Sequence, residues 1–187
     1  SCPFPSFAGE LRARADMTPE LHLRDVGRHW GERPTLQRIT LSLSAGERVA
    51  LIGPSGGGKS TLIKLLAGSL RPTTGVIEVN GHAMHDFSWS ELQRYRSQCR
   101  IVEQQSLLVP QSTVHSNVLS GLLSTWPWHK VLRAALWPIE RQRVRTVLQQ
   151  LGVAEHQWAK AGELSGGQMQ RVAIARALIA DPAILLA

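Results

Sequence analysis

Hydrophobic and polar positions alternate early in the chain and change period further along. Leu21-His-Leu-Arg-Asp-Val26 alternates as a half-exposed strand does. The stretch 36–43 alternates again, with Ile39, Leu41 and Leu43 on one face, and Ala45-Gly46-Glu47 reads as a turn. Arg48-Val-Ala-Leu-Ile52 is then almost unbroken apolar, which predicts a strand buried on both faces, as in a parallel sheet. A glycine-rich loop follows. Residues 60–70 take up a helical period, with Leu62, Ile63, Leu65 and Leu66 available for burial.

Turn signals divide the remainder. Arg71-Pro-Thr-Thr-Gly75 is a turn, and Val76-Ile-Glu-Val79 before Asn80-Gly81 predicts a hairpin. Ser88 with Glu91 has the spacing of a capping box opening a short helix. Residues 100–103 suit a short strand. From Thr113 to about Leu151 the pattern turns helical. Thr113 is placed to cap one helix, Pro127 interrupts, Pro138 is placed to open another and Gly152 to close it. Ser165 is a further N-cap, and Met169, Val172, Ala173, Ile174 and Leu178 give the next helix a stripe for burial. Asp181-Pro182 ends that helix, and Ala183-Ile-Leu-Leu-Ala187 begins a buried strand. Residues 1–19, rich in Pro, Ala and Arg, show no period and read as a tail.

Composition narrows the class. The 187 residues are 43% hydrophobic and 19% charged, which suits one globular domain and not a disordered polymer. No apolar run reaches membrane-spanning length, and the first residues lack the basic and apolar regions of a signal peptide. Cys2 and Cys99 are isolated thiols without metal-ligand spacing, as expected in a reducing cytosol. The net charge of +7 fits either a basic solvated face or an anionic partner such as nucleic acid or a membrane surface. The basic residues are scattered. The densest group, Arg133, Arg141, Arg143 and Arg145, falls in an amphipathic helical segment, and no stacked aromatic motif of the RNA-binding kind accompanies it.

Gly53-Pro-Ser-Gly-Gly-Gly-Lys-Ser60 carries the chemistry. It matches G-x-x-x-x-G-K-[ST], and the predicted strand before it and helix after it are the context that motif requires. A nucleoside triphosphate packs several negative charges into a small volume. Gly53, Gly56, Gly57 and Gly58 keep side chains away so that backbone amides can converge on the β-phosphate, with Pro54 and Ser55 in the same loop. Lys59 adds a mobile charge for the β- and γ-phosphates, and the helix start adds its positive end. Ser60 offers a hydroxyl to Mg²⁺, and Thr61 is a further phosphate contact.

A second small-residue motif, Leu164-Ser-Gly-Gly-Gln168, gains meaning from its neighbours: Gln168-Met-Gln-Arg171, Val172-Ala-Ile-Ala-Arg-Ala-Leu178 and Asp181-Pro182. With these in order, residues 20–187 resemble the ATP-binding subunits of ABC transporters. Gly53–Ser60 corresponds to the family's Walker A loop and Leu164–Gln168 to its signature. Gln104 stands at the Q-loop position, ahead of Leu108-Val-Pro110 and Thr113-Val114, although the adjacent Gln105 fits after a one-residue slip. Ile184-Leu-Leu-Ala187 resembles the apolar run leading into Walker B. In the insert, Asn117-Val-Leu-Ser-Gly-Leu-Leu123 with Trp126, Trp128 and Leu136 resembles the phosphonate-importer branch; the alternative is that Trp126, Trp128 and Trp137 fill a helical core.

The resemblance implies an α/β fold. It comprises a P-loop NTPase core with a mainly parallel sheet, an N-terminal antiparallel β subdomain, and a helical, signature-bearing subdomain over about 106–165. It implies that Trp30 stacks on adenine, that Lys59 and Gln104 serve catalysis, and that Ser60 and Gln104 contact Mg²⁺. Ser165, Gly166, Gly167 and Gln168 would then grip ATP held by the Walker A loop of a second subunit, in a homodimer. The further implied partners are transmembrane permease subunits and, indirectly, a solute-binding protein, at the cytoplasmic face of the inner membrane; no nucleic acid is expected. The sequence stops at Ala187, ahead of the family's Walker B acidic pair and later histidine. The expectation is therefore a truncated chain that binds ATP and hydrolyses it poorly. A non-transport ABC ATPase, or a nucleotide-binding module without turnover, are the competing readings.

Overall fold

The computed structural model describes residues 19–31, 33–102, 108–126, 128, 131 and 139–187. The chain forms two compact units and passes from one to the other between Arg96 and Ser97.

The first unit is built on an antiparallel sheet. Strand β1 (Leu21–Trp30) pairs with β2 (Arg33–Leu43) on one side and β3 (Thr74–Val79) on the other, and β4 (His82–Ala83) completes the order β2-β1-β3-β4. The alternation seen in the sequence is the cause. Leu21 and Leu23 are buried together with Leu36 of β2 and Ile77 and Val79 of β3. A strict period would bring Asp25 inward. Instead Asp25 takes a φ of 49°, the register shifts between Leu23 and Val26, and this bulge turns Val26 into the core. The predicted Asn80-Gly81 turn joins β3 to β4, with φ of 51° and 78° at the two residues.

Arg48–Ile52 departs from expectation. The segment joins no ladder, and Val49, Leu51 and Ile52 are 53%, 47% and 91% exposed. An apolar run makes a buried parallel strand only where strands flank it, and none of the described strands pairs with this one.

Helix α1 (Lys59–Leu66) buries Leu62, Leu65 and Leu66, with Ile63 half-buried, and stops short of the predicted Leu70. Its last turn is fixed by α2 (Trp89–Gln98). The Tyr95 hydroxyl donates to the Leu66 carbonyl, and the Arg96 guanidinium donates twice to the Gly68 carbonyl at 3.0 and 2.6 Å. A cation on helix-end carbonyls suits the negative end of the dipole. The predicted capping box opens α2: Ser88 N–H donates to the Glu91 carboxylate at 2.8 Å, and Glu91 N–H donates to the Ser88 hydroxyl at 3.3 Å. The Ser88 hydroxyl also donates to this carboxylate at 2.6 Å, and that bond, followed by the one from Ser88 N–H, holds the Glu91 carboxyl below its ordinary pKa.

The second unit is mainly helical. Strands β5 (Cys99–Ile101) and β6 (Ile184–Leu186) form a two-stranded parallel pair, the parallel component among the described residues. Helices α3 (Val114–Leu119), α4 (Arg141–Gln150) and α5 (Gly166–Leu178) pack around Val114, Val118, Val144, Leu148, Val153, Val172 and Ala175. Thr113 caps α3 as predicted, its hydroxyl accepting from Ser116 N–H at 3.1 Å. Gly152, at φ 66°, closes α4 as predicted. Val153 N–H reaches the Leu148 carbonyl at 3.0 Å and Gly152 N–H the Gln149 carbonyl at 3.1 Å, the paired bonds of a Schellman end. Pro127 and Pro138 lie outside the described residues.

The buried face of α5 is rotated from the predicted one. Val172 and Ala173 are buried with Ala175 and Ala177, while Met169, Ile174 and Leu178 are half-buried. The turn Ser120–Thr125 runs so near the end of α5 that a Cβ on Gly121 would stand 2.0 Å from the Arg176 carbonyl oxygen and 2.9 Å from Ile179 Cγ2, an approach that only a glycine allows. Of the tryptophans offered as core fillers, Trp126 packs against the core, Trp128 is 78% exposed, and Trp137 lies outside the described residues.

Candidate functional site

The glycine loop precedes α1 directly. Gly56 and Gly58 have φ of 78° and 82°. At Gly58 space is also exhausted: a Cβ would lie 2.6 Å from Leu36 Cδ2 and 2.8 Å from the Thr35 carbonyl oxygen. Gly58 is the N-cap of α1 and brings no side chain to its amides. Its carbonyl accepts the first helical bond, from Leu62 N–H at 2.9 Å. The N–H groups of Lys59, Ser60 and Thr61 therefore have no intrahelical acceptor, and together with the dipole they favour an anion.

The rim of the loop is open. Gly53, Pro54, Ser55, Gly56 and Gly57 are exposed, and nothing lies within 4 Å of the places a Cβ would take on Gly53 or Gly56. Gly57 N–H donates to the Pro54 carbonyl at 3.1 Å and tightens the turn. The Lys59 ammonium donates to the carbonyls of Gly53 and Pro54 at 2.8 and 2.7 Å. An ammonium has three donors, so one remains for a ligand oxygen. Ser60 is exposed and Thr61 half-buried. Among the described residues no group of three His, Cys, Asp or Glu side chains could hold a metal ion. Ser60 offers an exposed hydroxyl of the hard-oxygen kind that Mg²⁺ takes.

Trp30 ends β1 and pairs with Arg33, in the hairpin whose Thr35 and Leu36 press on Gly58. Aromatic ring and phosphate loop are thus attached to the same end of one hairpin. The ring is 58% exposed. The Arg28 guanidinium lies 4.6 Å from its centroid and donates to the Arg71 carbonyl at 3.1 Å, so one ring face is backed by an anchored cation.

Ser165–Gln168 opens α5 in the second unit. The Ser165 hydroxyl accepts from Gln168 N–H at 3.4 Å, and Gln168 Oε1 accepts from Ser165 N–H at 2.9 Å, a full capping box. Gly166 and Gly167 are exposed with open space where a Cβ would stand, so these two residues put no side chain over their own amides. At the other end of α5 the Arg143 guanidinium donates to the Ile179 carbonyl at 2.8 Å. Gln104, the remaining predicted site residue, lies outside the described residues, as does Gln105.

Three residues have partners that the sequence does not show. Arg28 backs Trp30, but a cation over a ring depends on strand path, which spacing does not show. Asn117 is buried; it accepts from Val109 N–H at 2.8 Å and donates to the carbonyls of Val109, at 3.1 Å, and Thr113, at 3.0 Å, tying down the segment before α3. Its position one turn after a threonine cap was the available signal. His156 contacts Gln168 at 2.9 Å from a turn with no motif at all.

Comparisons with known proteins agree with this geometry. A family model described as ABC transporter matches residues 36–187. A phosphonates import ATP-binding protein PhnC of Anaeromyxobacter dehalogenans is 44% identical over 90% of this chain and 34% of its own length. A protein of the same description from Pseudomonas putida is 39% identical over 89% of this chain and 62% of its own. The chain thus spans from about a third to three-fifths of the curated relatives it matches. Among solved structures, cbiO1 from Clostridium perfringens, part of the ABC transporter complex cbiONQ, aligns with a TM-score of 0.71 at 27% identity, covering 88% of this chain and 63% of that one. The dimeric structure of MJ0796, a bacterial ABC transporter cassette, aligns with a TM-score of 0.71 at 30% identity, covering 88% and 72%. The antiparallel sheet, the glycine loop on α1 and the signature on α5 are parts of one α/β P-loop NTPase design, and the chain belongs to the ABC transporter family.

Proposed function

We propose that this chain is the ATP-binding domain of a subunit that powers an ABC transporter, and that the cargo is a small anionic solute of the phosphonate kind. The observation that carries ATP binding is the loop at Gly53–Thr61: a left-handed Gly58 with no room for a side chain, free first-turn amides, and Lys59 arched over the loop. The two relatives described as phosphonate-import proteins support the cargo.

In this reading Trp30 stacks on the adenine, backed by Arg28. The amides of Gly56–Thr61 take the β-phosphate, and Lys59 exchanges a loop carbonyl for β- and γ-phosphate oxygens. Mg²⁺, held by the Ser60 hydroxyl with Gln104, supplies charge neutralisation on the phosphates. Ser165, Gly166 and Gly167 of a second copy close over the γ-phosphate, and Gln168 holds that clamp in shape. Closure excludes water and moves the permease subunits to which the domain docks at the cytoplasmic face of the membrane. A solute-binding protein acts at one remove, by delivering cargo to the permease. ATP hydrolysis in the whole protein reopens the pair.

A transport role is favoured over a nucleic-acid role by the partners of Arg141 and Arg143, two members of the basic cluster. Arg143 is spent on the end of α5, and the Arg141 guanidinium lies 5.6 Å from the Trp158 ring centroid. Calorimetric titration with MgATP tests the site. Lys59→Ala should weaken binding about tenfold or more, the loss of a charge-assisted bond. Unchanged affinity would remove the assignment.

A further inference from the structure

Gln168 closes the capping box on α5, and its side-chain nitrogen has a second partner. Gln168 Nε2 lies 2.9 Å from His156 Nε2, while Gln168 Oε1 accepts from Ser165 N–H at 2.9 Å. These two contacts decide each other. A backbone N–H only donates, so the amide oxygen must face Ser165. The amide nitrogen, which also only donates, then faces His156, and His156 Nε2 has to accept. Imidazole accepts there only when it is neutral with its proton on Nδ1.

The same Nε2 stands 3.5 Å from Glu155 Oε1, an acceptor that this nitrogen can serve only when it carries a proton. One ring atom therefore lies between two groups with contrary requirements. The imidazole is 30% exposed, so protons reach it. The helices packed around this turn carry Arg171, whose Nη1 would be 3.7 Å from a Cβ on Gly152, and Arg176 on α5, and Arg141, beside Trp158, with Arg143 and Arg145 on α4. All are arginines, cationic across this pH range. Lys160 follows in the chain. His115 of α3 is bonded to Gln157 at 3.2 Å, and burial resists its protonation.

We propose that His156 is a positioning residue for the signature. Neutral, it accepts the Gln168 amide and keeps the amide oxygen on Ser165. Protonated, it presents a donor to a donor and turns to Glu155. Gln168 must then flip or leave, and in either case Ser165 N–H loses its acceptor. What remains of the box is the longer bond, from Gln168 N–H to the Ser165 hydroxyl at 3.4 Å. The functional consequence rests on the two-copy reading above: acidification would slacken the clamp that closes on the partner's ATP.

Nuclear magnetic resonance of the chain without nucleotide, from pH 8 to pH 5, tests this directly, since imidazoles titrate in that range. The Ser165 and Gln168 amide resonances should move with the midpoint of the His156 ring protons. Ser165 N–H exchange, corrected for its intrinsic pH dependence, should rise about fivefold as His156 protonates, the worth of one capping bond. His156→Gln, whose amide oxygen can replace the ring nitrogen, should keep the protection and lose the pH step. His156→Leu should exchange fast at every pH. Ser165 and Gln168 resonances that stay still while His156 titrates would overturn the proposal, as would His156→Leu protection equal to wild type at pH 8. If the leucine variant does not fold, the wild-type and glutamine titrations still decide. No nucleotide enters these measurements, so their failure leaves the ATP site standing, and a failure of ATP binding leaves this mechanism standing.

Discussion

His115 is buried on α3, stacked on Trp158 with ring centroids 4.7 Å apart. Burial lowers its pKa from the ordinary 6.5; the Ile139 carbonyl opposes the shift and Arg141 adds to it. The sign follows. Below about 6.5 the unfolded chain binds a proton that the folded chain refuses, so the stability due to neutral His115 is complete above that value and is lost as pH falls. Urea unfolding at pH 7 and pH 5 should show this loss, up to about 1.4 kcal/mol per pH unit. A His115→Phe variant, which keeps the stack and has no proton to take up, should show a smaller loss. Trp30 is the second test at this scale. Trp30→Ala should weaken ATP binding and leave inorganic tripolyphosphate binding unchanged, because the proposed role of the ring addresses the base alone; equal weakening of both would contradict that role. Single residues were legible where their chemistry is local. Lys59 and Gly58 are visible in a spaced motif, whereas Arg28 and His156 act across folded distances that spacing does not encode.

Elements divide in the same way. The caps at Ser88, Thr113, Gly152 and Ser165 form as the sequence indicates, because each is settled within about four residues. Arg48–Ile52 does not form the strand it suggests, because a strand is defined by neighbours and a hydrophobic run carries no information about them. The approach of the Ser120–Thr125 turn to α5 is likewise set by the fold: it occurs at Gly121, where no side chain fits. Gly121→Ala tests this. A methyl group 2.0 Å from the Arg176 carbonyl oxygen forces α5 and the Ser120–Thr125 turn apart. The expected cost is about 2–4 kcal/mol in chemical denaturation, the range of severe overpacking. A cost under about 0.5 kcal/mol, the level of a surface substitution, would show that the two elements are not held as described.

At the scale of the whole molecule, one feature of the sequence organises the rest: two phosphate-type motifs in one chain. The glycine loop belongs to the first compact unit and the signature to the second. Each presents glycine backbone at a helix start. The family and its fold were legible because these motifs are short, ordered and physically demanding. Gln104 and the tryptophan-rich insert were legible only as positions in a pattern, and they lie largely outside the described residues.

If ATP is held between two copies, a loop defect in one chain and a signature defect in another should complement. Lys59→Ala spoils the loop and Ser165→Arg spoils the signature, so each variant alone has no intact composite site. A mixed pair retains one, made from the good loop of the Ser165→Arg chain and the good signature of the Lys59→Ala chain. Sedimentation velocity with MgATP should show self-association of the wild-type chain, none for either variant alone, and partial recovery in the equimolar mixture. No recovery on mixing, or association of either variant at the wild-type level, would contradict the account.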